Sequence, residues 1–94
     1  MTMLSRATEN IAAADSFTDW VYVQSNELCT VTVTGTWVGT LTMQCMLFKG
    51  TTPNDIDTKT ENGRWDAPGG GDYWRVGFKA GEYTSGAASL TIQG

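Results

Sequence analysis

The sequence contains no histidine and few charged residues of either sign. Without histidine, the chain lacks the commonest general base and the commonest zinc ligand. Lys and Arg together number only 6, they are scattered, and the net charge is -4. A surface that binds phosphates needs clustered basic side chains. The composition therefore predicts that the protein does not bind nucleic acid.

Long apolar runs are also absent from the sequence. No segment approaches the roughly 20 apolar residues of a membrane helix. The first residues, 1–6, are not followed by the apolar stretch of a secretory signal. We therefore expect a soluble protein that has no membrane partner and is not exported.

The segment from Cys29 to Phe48 alternates between apolar and polar residues, which is typical of a strand with one buried face. Its apolar positions form two sets: Cys29, Val31 and Val33, then Leu41, Met43, Cys45 and Leu47. Glycines bound the short segment between the two sets. The pattern predicts a β-hairpin that turns at residues 36–38 and pairs Val33 with Leu41. Trp37, in that turn, is expected to fold back over the end of the core.

The only two cysteines, Cys29 and Cys45, lie opposite each other in this predicted register. Opposed residues of an antiparallel pair have Cα atoms about 4.5 or 5.5 Å apart, which a disulfide tolerates. Without a secretion signal, free thiols that pack as small hydrophobic side chains are favoured. The disulfide stays open as the alternative.

Further strands follow from the same alternation elsewhere in the chain. Residues 17–24 are rich in aromatic and β-branched residues and should form the first strand. In this strand Phe17, Val21 and Val23 would share one face, and Trp20 and Tyr22 the other. A second hairpin is predicted from residues 72–79 and 88–92, joined by GEYTSG, with Phe78 opposite Ala88.

These patterns predict six or seven short strands and no long helix. The expected fold class is all-β, a small antiparallel β-sandwich of immunoglobulin-like type, with a jelly roll as the alternative. Residues 17–94 would form the sandwich domain. Residues 1–16 would form an N-terminal arm, which is either disordered or ordered only against a neighbouring subunit.

No constellation for catalysis or metal binding is evident. Asp55, Asp57 and Glu61 suggest a calcium loop, but Lys59 occupies a ligand position and the EF-hand glycine is missing. A solvated acidic loop or a sheet edge is the better interpretation for residues 49–60. We therefore predict no catalytic residue, no metal and no cofactor, and a protein that is not an enzyme.

Three segments resemble a known group of proteins. They are GTWVGTLTMQ at residues 35–44, YWRVG at residues 73–77 and GEYTSG at residues 81–86. Together they resemble small β-sandwich structural proteins of tailed bacteriophages, and within that group most closely the capsid cement, or decoration, proteins. The similarity extends from Phe17 to the C-terminus.

This resemblance implies a virion protein that binds the outer surface of the phage head and stabilises contacts between coat subunits. The expected partner is the major capsid protein, and the protein itself would be a homo-oligomer, a dimer or a trimer. It would be made in the host cytoplasm and end on the capsid surface. The residues that we expect at the protein interface are, in order, Leu4 and Arg6 in the arm, then Trp20 and Tyr22, then Trp65.

A second class of function is a carbohydrate- or receptor-binding module of a tail fibre. Trp65, Tyr73 or Tyr83 beside Asp and Asn side chains would stack on a sugar ring in such a module. This alternative rests on the fact that β-sandwich folds often carry sugar sites.

Overall fold

The computed structural model describes residues 6–46, 52–68 and 70–94 of the chain, and none of these residues is helical. The strands, in chain order, are β1 (Arg6–Ile11), β2 (Ser16–Phe17), β3 (Val21–Val23), β4 (Leu28–Met46), β5 (Asn54–Lys59), β6 (Gly63–Pro68) and β7 (Asp72–Gln93). Every pairing among them is antiparallel. The predicted all-β, antiparallel class is therefore confirmed.

Two long strands, β4 and β7, form the centre of the sheet. They pair with each other from Thr30 opposite Gln93 to Met46 opposite Tyr73. The shorter strands flank this pair: β1, β2 and β3 pair with β7, whereas β5 and β6 pair with β4. Each long strand therefore has different neighbours along its two halves.

The two long strands bend together at their middles. A straight strand of the 22 residues of β7 would span about 70 Å at roughly 3.3 Å per residue, but the largest extent of the molecule is 34 Å. The bend lies near Gly35 and Gly86, whose φ angles are +103° and +84°. A Cβ atom on Gly35 would lie 2.6 Å from the carbonyl oxygen of Ala87, and one on Gly86 would collide with the carbonyl oxygen of Thr36. This corner of the sheet therefore requires glycine at both positions.

The bend stacks the two halves of the sheet as two layers around one core. The first layer contains β1, β6 and the adjoining halves of β4 and β7, and the second contains β2, β3, β5 and the other halves. Both layers contribute apolar side chains to a single buried cluster, which consists of Ala7, Ile11, Val21, Val23, Cys29, Val31, Val33, Leu41, Met43, Cys45, Trp74, Val76, Phe78, Ala88, Leu90 and Ile92. The fold is thus sandwich-like, and its layers are parts of one folded sheet.

Both predicted hairpins are wrong. Val33 pairs with Leu90 and not with Leu41, while Phe78 pairs with Leu41 and not with Ala88. The predicted buried faces are nevertheless confirmed for the described residues, whereas Leu47 lies outside them. A strand that bends keeps the same residues inside as a hairpin does, so alternation cannot separate the two arrangements.

The predicted first strand over residues 17–24 is interrupted between Phe17 and Val21. There the backbone N–H of buried Thr18 donates to the carbonyl oxygen of Val76 at 2.9 Å, and the Thr18 hydroxyl accepts from the N–H of Val76 at 3.2 Å. The break shifts the phase of the alternation. Phe17 therefore lies on the outer face, which contradicts the prediction, whereas Val21 is buried as predicted.

The N-terminal segment joins the sheet for part of its length. Residues 6–11 form β1, which pairs with residues 88–93 of β7. Ala7 and Ile11 are buried in the core. Leu4 lies outside the described residues. The part of the predicted arm that the structure describes is therefore an element of the fold.

Replacement of Gly77 by alanine tests the close packing of β2 on β7. A Cβ atom there would collide with the carbonyl oxygen of Ser16 and lie 2.5 Å from the Cα atom of Phe17. Because both of these atoms belong to the backbone of β2, that strand would have to move. We expect Gly77→Ala to lower the free energy of unfolding by about 3 kcal/mol or more, measured by equilibrium denaturant unfolding.

Gly81→Ala is the matched control for that variant. Gly81 has nothing within 4 Å of its hypothetical Cβ atom, but its φ angle is +81°. Backbone strain alone should then cost about 1 to 2 kcal/mol. Equal losses in the two variants would contradict the packing that we assign to Gly77.

Candidate functional site

Arg75 lies at the centre of the outer face of the second layer. Its guanidinium carbon is 4.1 Å from the ring centroid of Phe17 and 4.5 Å from that of Trp20. Its Nε donates a hydrogen bond of 2.8 Å to Oε1 of Gln44. Burial between the rings lowers the pKa of Arg75 from its ordinary value. Cation-π contacts of this kind contribute about 0.5 to 2 kcal/mol each. The two rings and the Gln44 amide therefore hold the guanidinium in one position.

A row of polar side chains continues from Arg75 across the sheet. Gln44 lies opposite both Arg75 and Asp55 in the strand register. Its Nε2 donates to Oδ1 of Asp55 at 2.9 Å, and Nζ of Lys79 donates to Oδ2 of the same carboxylate at 2.6 Å. Hydrogen bonds from Lys79 and Gln44 lower the pKa of Asp55. The buried side-chain amide of Gln44 therefore forms a hydrogen bond with a cross-strand neighbour on each side, Arg75 and Asp55.

A pair of tyrosines lies beside Arg75. Tyr22 of β3 is opposite Tyr73 of β7, and their rings meet edge to face with centroids 5.6 Å apart. Both side chains are half-buried. We call the five residues Phe17, Trp20, Tyr22, Tyr73 and Arg75 the outer cluster. Aromatic residues and arginine are the types enriched at protein–protein interfaces and among their energetic hot spots.

The outer face of the first layer is chemically different. Thr8, Thr91 and Thr32 form one cross-strand row there, and the hydroxyls of Thr8 and Thr91 are 3.4 Å apart. Asn10 and Ser89 form a contact in the next row, at 3.3 Å. Small polar side chains form these rows, with Arg64 and Asp66 of β6 beside them, so the two faces of the sandwich offer a partner different surfaces.

Two of the predicted interface residues, Trp20 and Tyr22, belong to the outer cluster. Trp65 does not: it packs against the core from β6, and Nζ of Lys59 lies 5.0 Å from its ring centroid. Arg6 is exposed at the start of β1, in the other layer. Leu4 lies outside the described residues.

Sequence reasoning did not place Phe17, Tyr73 or Arg75 at the protein interface, and it named Tyr73 only for the sugar-binding alternative. Tyr73 and Arg75 already alternated outward in their strand, and this signal was sufficient to find them. Phe17 was assigned to the wrong face because the break after it gave no signal in the sequence.

The aromatic residues of the sugar-binding alternative lie at three different positions of the fold. Trp65 packs on the core from β6, and Tyr73 belongs to the outer cluster. Tyr83 packs on Phe78 with ring centroids 5.1 Å apart, and its hydroxyl donates to the carbonyl oxygen of Gly86 at 2.7 Å. Tyr83 therefore packs at the corner of the sheet, between Phe78 and Gly86.

Two of the three carboxylates that suggested a calcium loop, Asp55 and Asp57, form ion pairs with lysines. Asp57 forms an ion pair of 2.9 Å with Lys59, and its Oδ1 accepts a hydrogen bond from the backbone N–H of Thr58 at 2.8 Å. The bond from Lys59 lowers the pKa of Asp57. Asp55 is bound to Lys79 as described above. Within the described ranges, no group of three or more His, Cys, Asp or Glu side chains forms a candidate metal site.

Both cysteines are free thiols in the core, the state that the sequence favoured. They are not opposed in the register: Cys29 pairs with Ala67, and Cys45 pairs with Asn54 and Trp74. Burial raises the pKa of Cys29 to about 12 and that of Cys45 to about 11. Negative charge from the other thiol adds to this effect at Cys29, and negative charge from a nearby aspartate adds to it at Cys45. Thiols this weakly acidic are poor nucleophiles at neutral pH.

No family model matches this sequence, and no curated protein or solved structure matches it either. In the part of the chain that the structure describes, no helix is long and apolar enough to cross a membrane.

The raised thiol pKa values predict slow alkylation and a stability loss at high pH. We expect iodoacetamide to leave both native thiols unmodified at pH 8 and to modify both in the denatured chain, measured by mass spectrometry. The ordinary pKa is 9.0, so the unfolded chain loses its thiol protons before the folded one. Stability from this source is fully present below pH 9 and falls as the pH rises to about 11 and about 12.

The Cys29→Ala, Cys45→Ala double variant is the control for the pH effect. It should lose less stability than the wild type between pH 9 and pH 11, because the thiols no longer titrate there. Rapid native alkylation at pH 8 would contradict the burial of both side chains.

Proposed function

We propose that this protein is a non-enzymatic capsid decoration protein of a tailed bacteriophage, which binds the outer surface of the head through the outer cluster. The resemblance of residues 35–44, 73–77 and 81–86 to such proteins suggests the class. The observation that carries the surface assignment is the stack of Phe17, Arg75 and Trp20 on an ordered sheet. Its partner is the major capsid protein.

The energetics of decoration fit a surface of this kind. A protein that binds the assembled shell and not its free subunits stabilises the shell by mass action, so its whole effect is interface free energy. A standard interface buries about 800 Å² on each partner, roughly a seventh of the 5269 Å² surface of the described chain. The outer cluster lies on one face and can form the centre of such an area.

Both thiols and two of the carboxylates are engaged in structural contacts. The two thiols have raised pKa values in the core. Asp55 and Asp57 are each bound to a lysine and have lowered pKa values. These contacts support a binding role in preference to a chemical one.

The proposal also includes oligomer formation and a contact of the N-terminal arm with a neighbouring subunit. A homo-oligomer, a dimer or a trimer, would place several outer clusters against a symmetry axis of the shell. Leu4 and Arg6 would contact a neighbouring subunit, Arg6 from the exposed start of β1. Trp65, whose ring packs on the core, would add contact area only at its exposed edge.

Binding to purified heads tests the proposed surface. Heads of the phage that encodes this chain, prepared without the protein, are mixed with the wild type or with Trp20→Ala or Tyr22→Ala. Each variant should bind at least about tenfold more weakly, because truncation of a central aromatic hot spot costs about 2 kcal/mol or more. Occupancy is measured by sedimentation and quantitative gel analysis.

Leu28→Ala is the control, since Leu28 is 55% exposed on β4 in the other layer. Its occupancy should equal that of the wild type. Failure of the wild-type protein to bind heads would refute the function. Full occupancy by both aromatic variants would refute the surface and leave the function standing.

A further inference from the structure

A groove lies at the corner of the sheet, away from the outer cluster. It has a volume of about 280 Å³ and is lined by residues of the β4 bend and of the turn between β5 and β6: Gly35, Thr36, Trp37, Thr60, Glu61 and Asn62. Neither the core nor the outer cluster includes Asn62, Thr60 or Glu61. The groove is therefore a separate feature of the molecule.

The wall of the groove is held in place by Asn62. Its Nδ2 donates to the carbonyl oxygen of Gly35 at 2.9 Å, and its Oδ1 accepts from Nε1 of Trp37 at 2.7 Å. Trp37 also meets Phe78 edge to face, with ring centroids 5.7 Å apart. The orientation of the indole is thus fixed at its nitrogen and at its ring before any ligand arrives, which reduces the entropy cost of binding.

The rim of the groove carries polar groups that have no partner among the described residues. The side chains of Thr36, Thr60 and Glu61 are exposed and form no hydrogen bond or ion pair within the described residues. They present two hydroxyls and one carboxylate beside a fixed aromatic ring. A ligand with many hydroxyl groups can donate to the carboxylate and exchange hydrogen bonds with both threonines.

The charge and size of the groove restrict the ligand further. Among the described residues, Glu61 is the only ionisable one that lines the groove, so an anionic ligand would meet a like charge. The volume lies just below the roughly 300 Å³ at which pockets for drug-sized molecules begin, which suits one ring. We propose that this groove binds a neutral pyranose, whose hydroxyls bind Glu61, Thr36 and Thr60 beside the Trp37 indole. The proposal does not depend on the capsid function.

Nuclear magnetic resonance of the labelled whole chain tests the site directly. The protein has 4 tryptophans, so each indole N–H gives its own signal. The probes are the methyl glycosides of glucose, galactose, mannose and N-acetylglucosamine, each added singly up to about 50 mM, well above a millimolar Kd. With at least one of them, the indole signal of Trp37 and the side-chain amide signals of Asn62 should shift saturably. The indole signals of Trp20, Trp65 and Trp74 should stay in place.

Variants of the rim separate this site from nonspecific binding. Glu61→Gln and Thr60→Val should each weaken binding, Glu61→Gln by about tenfold, since a hydrogen bond to a charged group contributes about 1.5 kcal/mol or more. Glu82→Gln and Thr84→Val make the same chemical changes outside the groove and should bind as the wild type does. Methyl glucuronide, an anionic probe, should bind more weakly than methyl glucoside.

Several outcomes would overturn the proposal. They are an unmoved Trp37 signal with all four glycosides, equal movement of all indole signals, and unchanged affinity in Glu61→Gln and Thr60→Val. Equal affinity for the glucuronide would overturn the assignment of a neutral ligand.

Discussion

The pairing of β4 with β7 through a glycine corner is the constraint on which the rest of the structure depends. These two strands pair antiparallel along most of their length, with register shifts around Gly39, and every shorter strand pairs with one of them. The ladder must fold over, because a flat sheet of this length would leave its apolar face in water. Gly35 and Gly86 allow the fold because their backbones approach the opposite strand more closely than a Cβ atom permits. The core between the layers is thus a consequence of the corner.

The same corner separates two surfaces of different chemistry. In the second layer, register places Arg75 opposite Gln44, and Tyr73 opposite Tyr22. Their side chains lie on the outer face of that layer. At the bend, Asn62 binds the backbone of Gly35 and lines a groove. An aromatic face suits a protein partner, and a groove suits a small ligand.

The sequence was sufficient to predict the all-β class and the inward faces of β4 and β7, because alternation depends only on which residues are apolar. It was not sufficient to predict the partners of the strands. A glycine-bounded segment such as residues 35–39 satisfies a turn and a bend equally well, and only distant residues, 83–88 of β7, decide between them. Phe17 shows a second limit of sequence-based prediction. The strand breaks at Thr18, whose hydroxyl accepts from the N–H of Val76, and no proline or glycine marks this break in the sequence. The groove was beyond local reasoning because Asn62 is 25 residues from Trp37 and 27 from Gly35.

The outer cluster is suited to binding because its side chains are already immobilised in the folded chain. Ordering a flexible side chain at an interface costs about 0.5 to 1.5 kcal/mol, and Arg is among the most flexible. Here Phe17 and Trp20 enclose the Arg75 guanidinium, and Gln44 fixes its Nε. These side chains therefore lose little further conformational entropy when a partner binds, because folding has already ordered them. The threonine row of the first layer offers a partner little apolar or aromatic area, which is why the outer cluster is the stronger candidate for the interface.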